Sequence, residues 1–154
     1  MMRWAICTLL LAQAAKPVRS VEFGEGTLGV PEGCTHVEGR GIDSAVGHLE
    51  CGKPVSKIKY DIGFASPGAK PEIHGWCTAN TDRPPARRTE LRTPDGRTVF
   101  VCDLPVYYKD PAKLVAVPAP NISFYVDLRT PSDATWLLQV ALAFQPRVPA
   151  KAAR

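Results

Sequence analysis

Cysteine placement constrains this chain more than any other feature. Cys7 lies in an apolar leader, and Cys34, Cys51, Cys77 and Cys102 follow at intervals of 17, 26 and 25 residues. Structural zinc sites are built from close pairs such as C-x-x-C, and "HGWC" at 74–77 has no matching second half. An even set of well-separated cysteines in an exported chain reads instead as two disulfides, for which three pairings exist. The expected pairs are Cys34–Cys51, closing an early hairpin, and Cys77–Cys102, tying a strand at 72–78 to one at 98–104. Each closes a loop of about twenty residues and contributes on the order of 3 kcal/mol by restricting the unfolded chain.

Export is expected from the opening "MMRWAICTLLLAQAA". Arg3 supplies a positive start, residues 4–12 an apolar run, and Ala12-Gln13-Ala14 the small-x-small pattern cut by signal peptidases. Cleavage near Ala14 removes a signal peptide at 1–14 and Cys7 with it. That run is about half the length a bilayer span needs, and Cys7 precedes its completion, which does not fit a lipid anchor. The rest, about 140 residues, suits one domain with a real core, expected over 21–145, with a loose basic tail at 146–154. Loss of Arg3 lowers the formal net charge from +4 to +3, too mild to argue for nucleic acid or an anionic membrane.

With 15 prolines in 154 residues, strands and turns are favoured over long helices. Residues 21–33 read as one or two short strands closed by Val30-Pro31-Glu32-Gly33. "CTHVEG" and "AVGHLEC" read as strands flanking the loop "RGIDS". In "SKIKYDIG", Ile58, Tyr60 and Ile62 alternate with Lys57, Lys59 and Asp61, the period of a strand with one buried face. Pro94-Asp95-Gly96 marks a hairpin turn in which proline presets φ, aspartate caps its own backbone and glycine takes positive φ. "KLVAV" and "ISFYVDL" add two strands, while "ANTDRPPARR" at 79–88 reads as an exposed loop. One helix stands out: Thr130 as N-cap, Pro131 first inside, Asp133 in an acidic first turn, then Ala134, Leu137, Leu138, Ala141 and Phe144 at helical spacing. Strands without intervening helices exclude a βαβ sheet. The expected class is α+β, a mainly antiparallel sheet of short strands covered by a C-terminal helix.

Catalytic candidates concentrate in "GIDSAVGH" at 41–48, where Asp43, Ser44 and His48 fall within six positions. A nucleophilic serine needs a base within hydrogen-bond reach, yet four residues of extended chain span about 13 Å. The pattern is not G-x-S-x-G, and the simpler reading is a turn in which Asp43 and Ser44 bond backbone amides. Asp61 joins the candidates for a small exported hydrolase only if it approaches Asp43. His36, His48 and His74 sit singly, without H-x-H or H-E-x-x-H spacing, so no metal is expected, and no pattern calls for a cofactor. Arg83, Arg87 and Arg88 in "RPPARR" offer a cationic segment for an anionic envelope polymer or an acidic envelope protein. "NIS" at 121–123 is a glycosylation sequon, meaningful only in a eukaryotic secretory pathway.

"VPEG", "GIDSAVG" and "YDIG", in that order within residues 21–63, resemble small exported bacterial proteins with no assigned activity. The helix after "ISFYVDLRTPSDA" is similar to the end of the PsbP/Mog1-like sandwich, an analogy of fold alone. Cys34 and Cys51 look like this sequence's own addition to the first pattern. The resemblance implies no activity, and the expected role is an exported, non-catalytic binding or structural module.

Overall fold

The chain begins as a tight meander because turn residues punctuate it every five to eight positions. In the computed structural model, which describes residues 17–63 and 87–147, strands β1 (Pro17–Phe23), β2 (Gly26–Pro31), β3 (Cys34–Glu38), β4 (Ser44–Cys51) and β5 (Ser56–Gly63) follow one another. Then come β6 (Arg87–Arg92), β7 (Thr98–Leu104), β8 (Lys113–Ala119), β9 (Ile122–Asp127), helix α1 (Pro131–Ala143) and the short β10 (Gln145–Pro146). The leader, the 72–78 strand, His74, Cys77, Arg83 and residues 148–154 lie outside the described residues.

Seven strands form one antiparallel sheet in the order β3-β4-β5-β9-β8-β7-β6, and β1-β2-β10 form a second, smaller one. The expected antiparallel α+β architecture is therefore present, with an additional sheet that local patterning did not separate. Alternation in β5 is clean: Ser56, Ile58, Tyr60 and Ile62 are buried between the outward Lys57, Lys59 and Asp61. Helix α1 lies against β2, β5, β8 and β9, burying Leu137, Leu138, Val140 and Ala141. Each such aliphatic side chain contributes about 1.5–3 kcal/mol on leaving water.

The helix starts where its local chemistry predicts, with Thr130 as N-cap and Pro131 first inside. Asp133 does more than acidify the first turn. Its buried carboxylate accepts from the backbone N–H groups of Thr130 (2.6 Å) and Arg129 (2.7 Å) and from the Ser56 hydroxyl (2.6 Å) at the start of β5. Burial works against its charge, but these hydrogen bonds outweigh that and hold the carboxyl below its ordinary pKa.

Several expectations need correction. Arg87 and Arg88 belong to β6, not to a loop, and the Arg88 guanidinium lies 4.6 Å over the Phe100 ring, a contact that pulls the segment into the sheet. Chain order continues past 146: Pro146 pairs with Gly26, and Arg147 N–H donates to the Glu25 carbonyl. A Cβ at position 26 would stand 2.9 Å from Pro146 Cα, so only glycine lets β10 approach. In the β6–β7 turn, Gly96 takes φ +85° as expected. Asp95, however, accepts from the Thr93 hydroxyl and from Arg97 Nε (2.7 Å) rather than capping its own backbone.

Among the described residues one disulfide is present, Cys34–Cys51, with Cα atoms 4.1 Å apart. The two cysteines face each other across β3 and β4, and so close is the approach because this is a non-hydrogen-bonded pair: the neighbouring Gly39 and Gly52 N–H groups donate across the ladder instead. Trp136 of α1 sits above this corner, where Cβ atoms at Gly33 and Gly52 would lie 3.6 and 2.7 Å from its indole. Cys102 is buried on the other face of the sheet with Phe100, Leu104, Val115 and Val117, and is not free. No helix among the described residues is long and apolar enough to cross a membrane.

Candidate functional site

A glycine inside a strand often marks the close approach of another group, and Gly47 does so here. Register places Gly47 of β4 between Glu38 of β3 and Tyr60 of β5. A Cβ at 47 would stand 2.6 Å from the Val37 carbonyl oxygen and closer still to the Tyr60 hydroxyl. Without it, the phenol reaches across β4 to β3, where Tyr60 Oη and His36 Nε2 are hydrogen-bonded at 2.7 Å. The two rings lie nearly parallel, 5.8 Å apart, and Phe23 of β1 meets Tyr60 edge-on at 5.6 Å.

Both partners are held neutral. Burial, and secondarily the charge of Arg19, lowers the His36 pKa against the opposing pull of Glu38. Burial, then the Glu38 carboxylate, raises that of Tyr60. An acid–base catalyst would need one of the two poised to change charge near neutral pH, and these shifts run the other way. The pair fixes geometry.

Beside it opens a cavity of about 400 Å³, within the size range of small-ligand sites. Phe23 and Tyr60 supply its rings, Glu38 and Arg40 its charges, and Ser44 a hydroxyl, around the Gly39–Gly41 backbone. Gly41 serves the tight loop, because a Cβ there would collide with the Ser44 carbonyl oxygen.

The residues singled out in "GIDSAVGH" do not converge. Asp43 is exposed in the loop and Ser44 opens β4. His48 lies four residues along the same face of that strand, and its Nε2 contacts Glu50 at 3.3 Å. Asp61 is exposed on β5, opposite Val46 and Ser123. Ser44 alone of the four lines the cavity. Among the described residues no three His, Cys, Asp or Glu side chains are arranged to hold a metal. His36, read as a surface or edge histidine, is instead half-buried against Tyr60.

No relative marks this site. No family model matches the chain, and comparison with curated proteins and with solved structures gives no match either. Phe23, Glu38, Arg40 and Tyr60 escaped sequence reasoning because strands distant in the chain bring them together. The legible signal was Gly47, a glycine interrupting an otherwise regular strand pattern.

Proposed function

We propose that this chain is an exported, non-catalytic binding module whose ligand seat is the cavity over the Tyr60–His36 pair. The observation that carries this reading is the combination of a locked, neutral floor with two opposite charges, Glu38 and Arg40, at the wall. A rigid floor reduces the ordering cost of binding, and apolar rings beside a few polar groups are the usual composition of a small-ligand site. The matching ligand is a zwitterion of dipeptide size, its ammonium directed to Glu38, its carboxylate to Arg40 and its side chain to Phe23.

Export and a second bridge, Cys77–Cys102, belong to the same proposal, since an oxidising compartment would make both cross-links permanent. Peptide mapping of the secreted, unreduced protein tests that part; a free Cys77 would remove it.

For the seat, the mature oxidised protein is titrated with free dipeptides while amide resonances are followed. Shifts confined to residues 38–46 and 60, weakened about tenfold by Glu38→Gln or by Arg40→Gln, are expected, equivalent to about 1.4 kcal/mol for either charge. If no zwitterionic dipeptide moves those resonances at millimolar concentration, the proposal fails.

A further inference from the structure

A second surface, at the opposite end of β8 and β9 from their connecting turn, carries groups the cavity does not use. Between β7 and β8, Tyr107 and Asp110 exchange backbone hydrogen bonds in both directions (3.1 and 2.9 Å), closing a two-residue turn over Tyr108 and Lys109. Tyr108 adopts φ +52°, a left-handed conformation ordinarily left to glycine or asparagine. It is nevertheless 87% exposed, Val106 beside it is 67% exposed, and the Tyr107 ring meets Tyr108 edge-on at 4.5 Å. Large apolar side chains gathered in water on a strained turn are the kind of feature that calls for a partner.

Charge is segregated around this tip. Lys113, buried at its base, draws the Asp110 carboxylate to 2.9 Å and also binds Asp127. The neighbouring acids are thereby turned inward. Lys109 stays exposed, as does Arg129, which reaches Asp127 only at 3.5 Å. Leu128, whose N–H donates to the Ala112 carbonyl, adds another exposed aliphatic group next to Arg129. The small net charge of the whole chain conceals this local separation.

We propose that the tip formed by Val106, Tyr107, Tyr108 and Lys109, with Leu128 and Arg129, docks the domain on an anionic lipid surface. Aliphatic groups enter the acyl boundary, tyrosines settle at headgroup level, and flanking cations meet lipid phosphates. An anionic polysaccharide would satisfy Lys109 and Arg129 but gives Val106 and Leu128 nothing to contact, and a protruding tip suits insertion better than it suits cradling a chain. This surface is independent of the ligand seat proposed above.

Cosedimentation of the mature, oxidised protein with phosphatidylethanolamine vesicles containing phosphatidylglycerol tests the inference, with phosphatidylcholine vesicles and soluble heparin as comparisons. Binding to the anionic vesicles alone is expected. It should fall about tenfold in Val106→Ser/Tyr108→Asn, a pair chosen because asparagine accepts the left-handed backbone, and several-fold in Lys109→Glu. Both variants should keep the parent Tm and circular dichroism, as every altered position is exposed. The inference is overturned by wild-type protein that ignores anionic vesicles at low salt. It is equally overturned by binding that survives V106S/Y108N, or by heparin capturing the protein as well as vesicles do.

Discussion

Replacing Asp133 should cost this domain more than replacing any exposed residue, because one buried carboxylate joins the helix to the sheet. It accepts three hydrogen bonds, from Ser56, Thr130 and Arg129, two of them satisfying donors that a helix start leaves open. Bonds to a charged acceptor contribute about 1.5–3 kcal/mol each, but they are not additive, and Asp133→Ala also strands the buried Ser56 hydroxyl. The expected loss is about 3–4 kcal/mol, with Asp133→Asn near 2 because an amide keeps one acceptor. Ser56→Ala should lose about 1.5 kcal/mol, and the double variant should fall short of the sum by about 1 kcal/mol. Urea titration followed by far-ultraviolet circular dichroism reads all four, and the alanine variant should melt roughly 10–15 °C lower. Since the folded carboxyl titrates below its ordinary value, its contribution is complete above pH of about 3.9 and disappears as pH falls through the folded pKa. Strict additivity of the two single substitutions, or an asparagine variant as stable as the parent, would refute this assignment.

Three further outcomes follow from the contacts. Gly47→Ala should destabilise by about 2–3 kcal/mol through overpacking against Tyr60 and the Val37 carbonyl, whereas Gly63→Ala, with ordinary contacts at 3.4 Å and beyond, should stay within about 0.5 kcal/mol in the same urea titration. Cys34→Ser/Cys51→Ser should lose about 3 kcal/mol, and reducing the parent should brighten Trp136 fluorescence by removing the nearby disulfide quencher. The His36 pKa is lowered on folding, so its neutral form stabilises the fold above pH of about 6.5 and that stability drains away as pH drops below it. His36→Gln should flatten this part of the pH–stability curve, and an unchanged slope between pH 7.5 and 5.5 (about one unit either side of the free value) would count against the burial of that imidazole.

Local chemistry made some elements readable and long-range pairing hid others. Thr130-Pro131 announces the helix, Pro94-Asp95-Gly96 its hairpin, and the lysine–isoleucine alternation β5, because each signal lies within one element. Nothing local says that β5 pairs with β9 rather than with β6, the strand that follows it in sequence, or that β1 and β2 leave the main sheet. The same limit applies to the site. Ser44 and His48 drew attention by being near in sequence, while Tyr60 and His36 meet only because register sets a glycine between them. The tyrosine pair at 107–108 carried no motif at all; its meaning comes from exposure and from the inward turn of Asp110 and Asp127.

The position of Cys34–Cys51 at the rim of the seven-stranded sheet has a consequence for alignment. A marginal strand with one flank open can slide past its neighbour, and sliding by a single step would send His36 into solvent and bring Val37 inward. A covalent rung at the first pair forbids that slip. Oxidation therefore acts as a ratchet pin: it holds the imaginary ruler along which Gly47 meets Tyr60, and a reduced chain would lose the seat by misalignment well before it lost its fold.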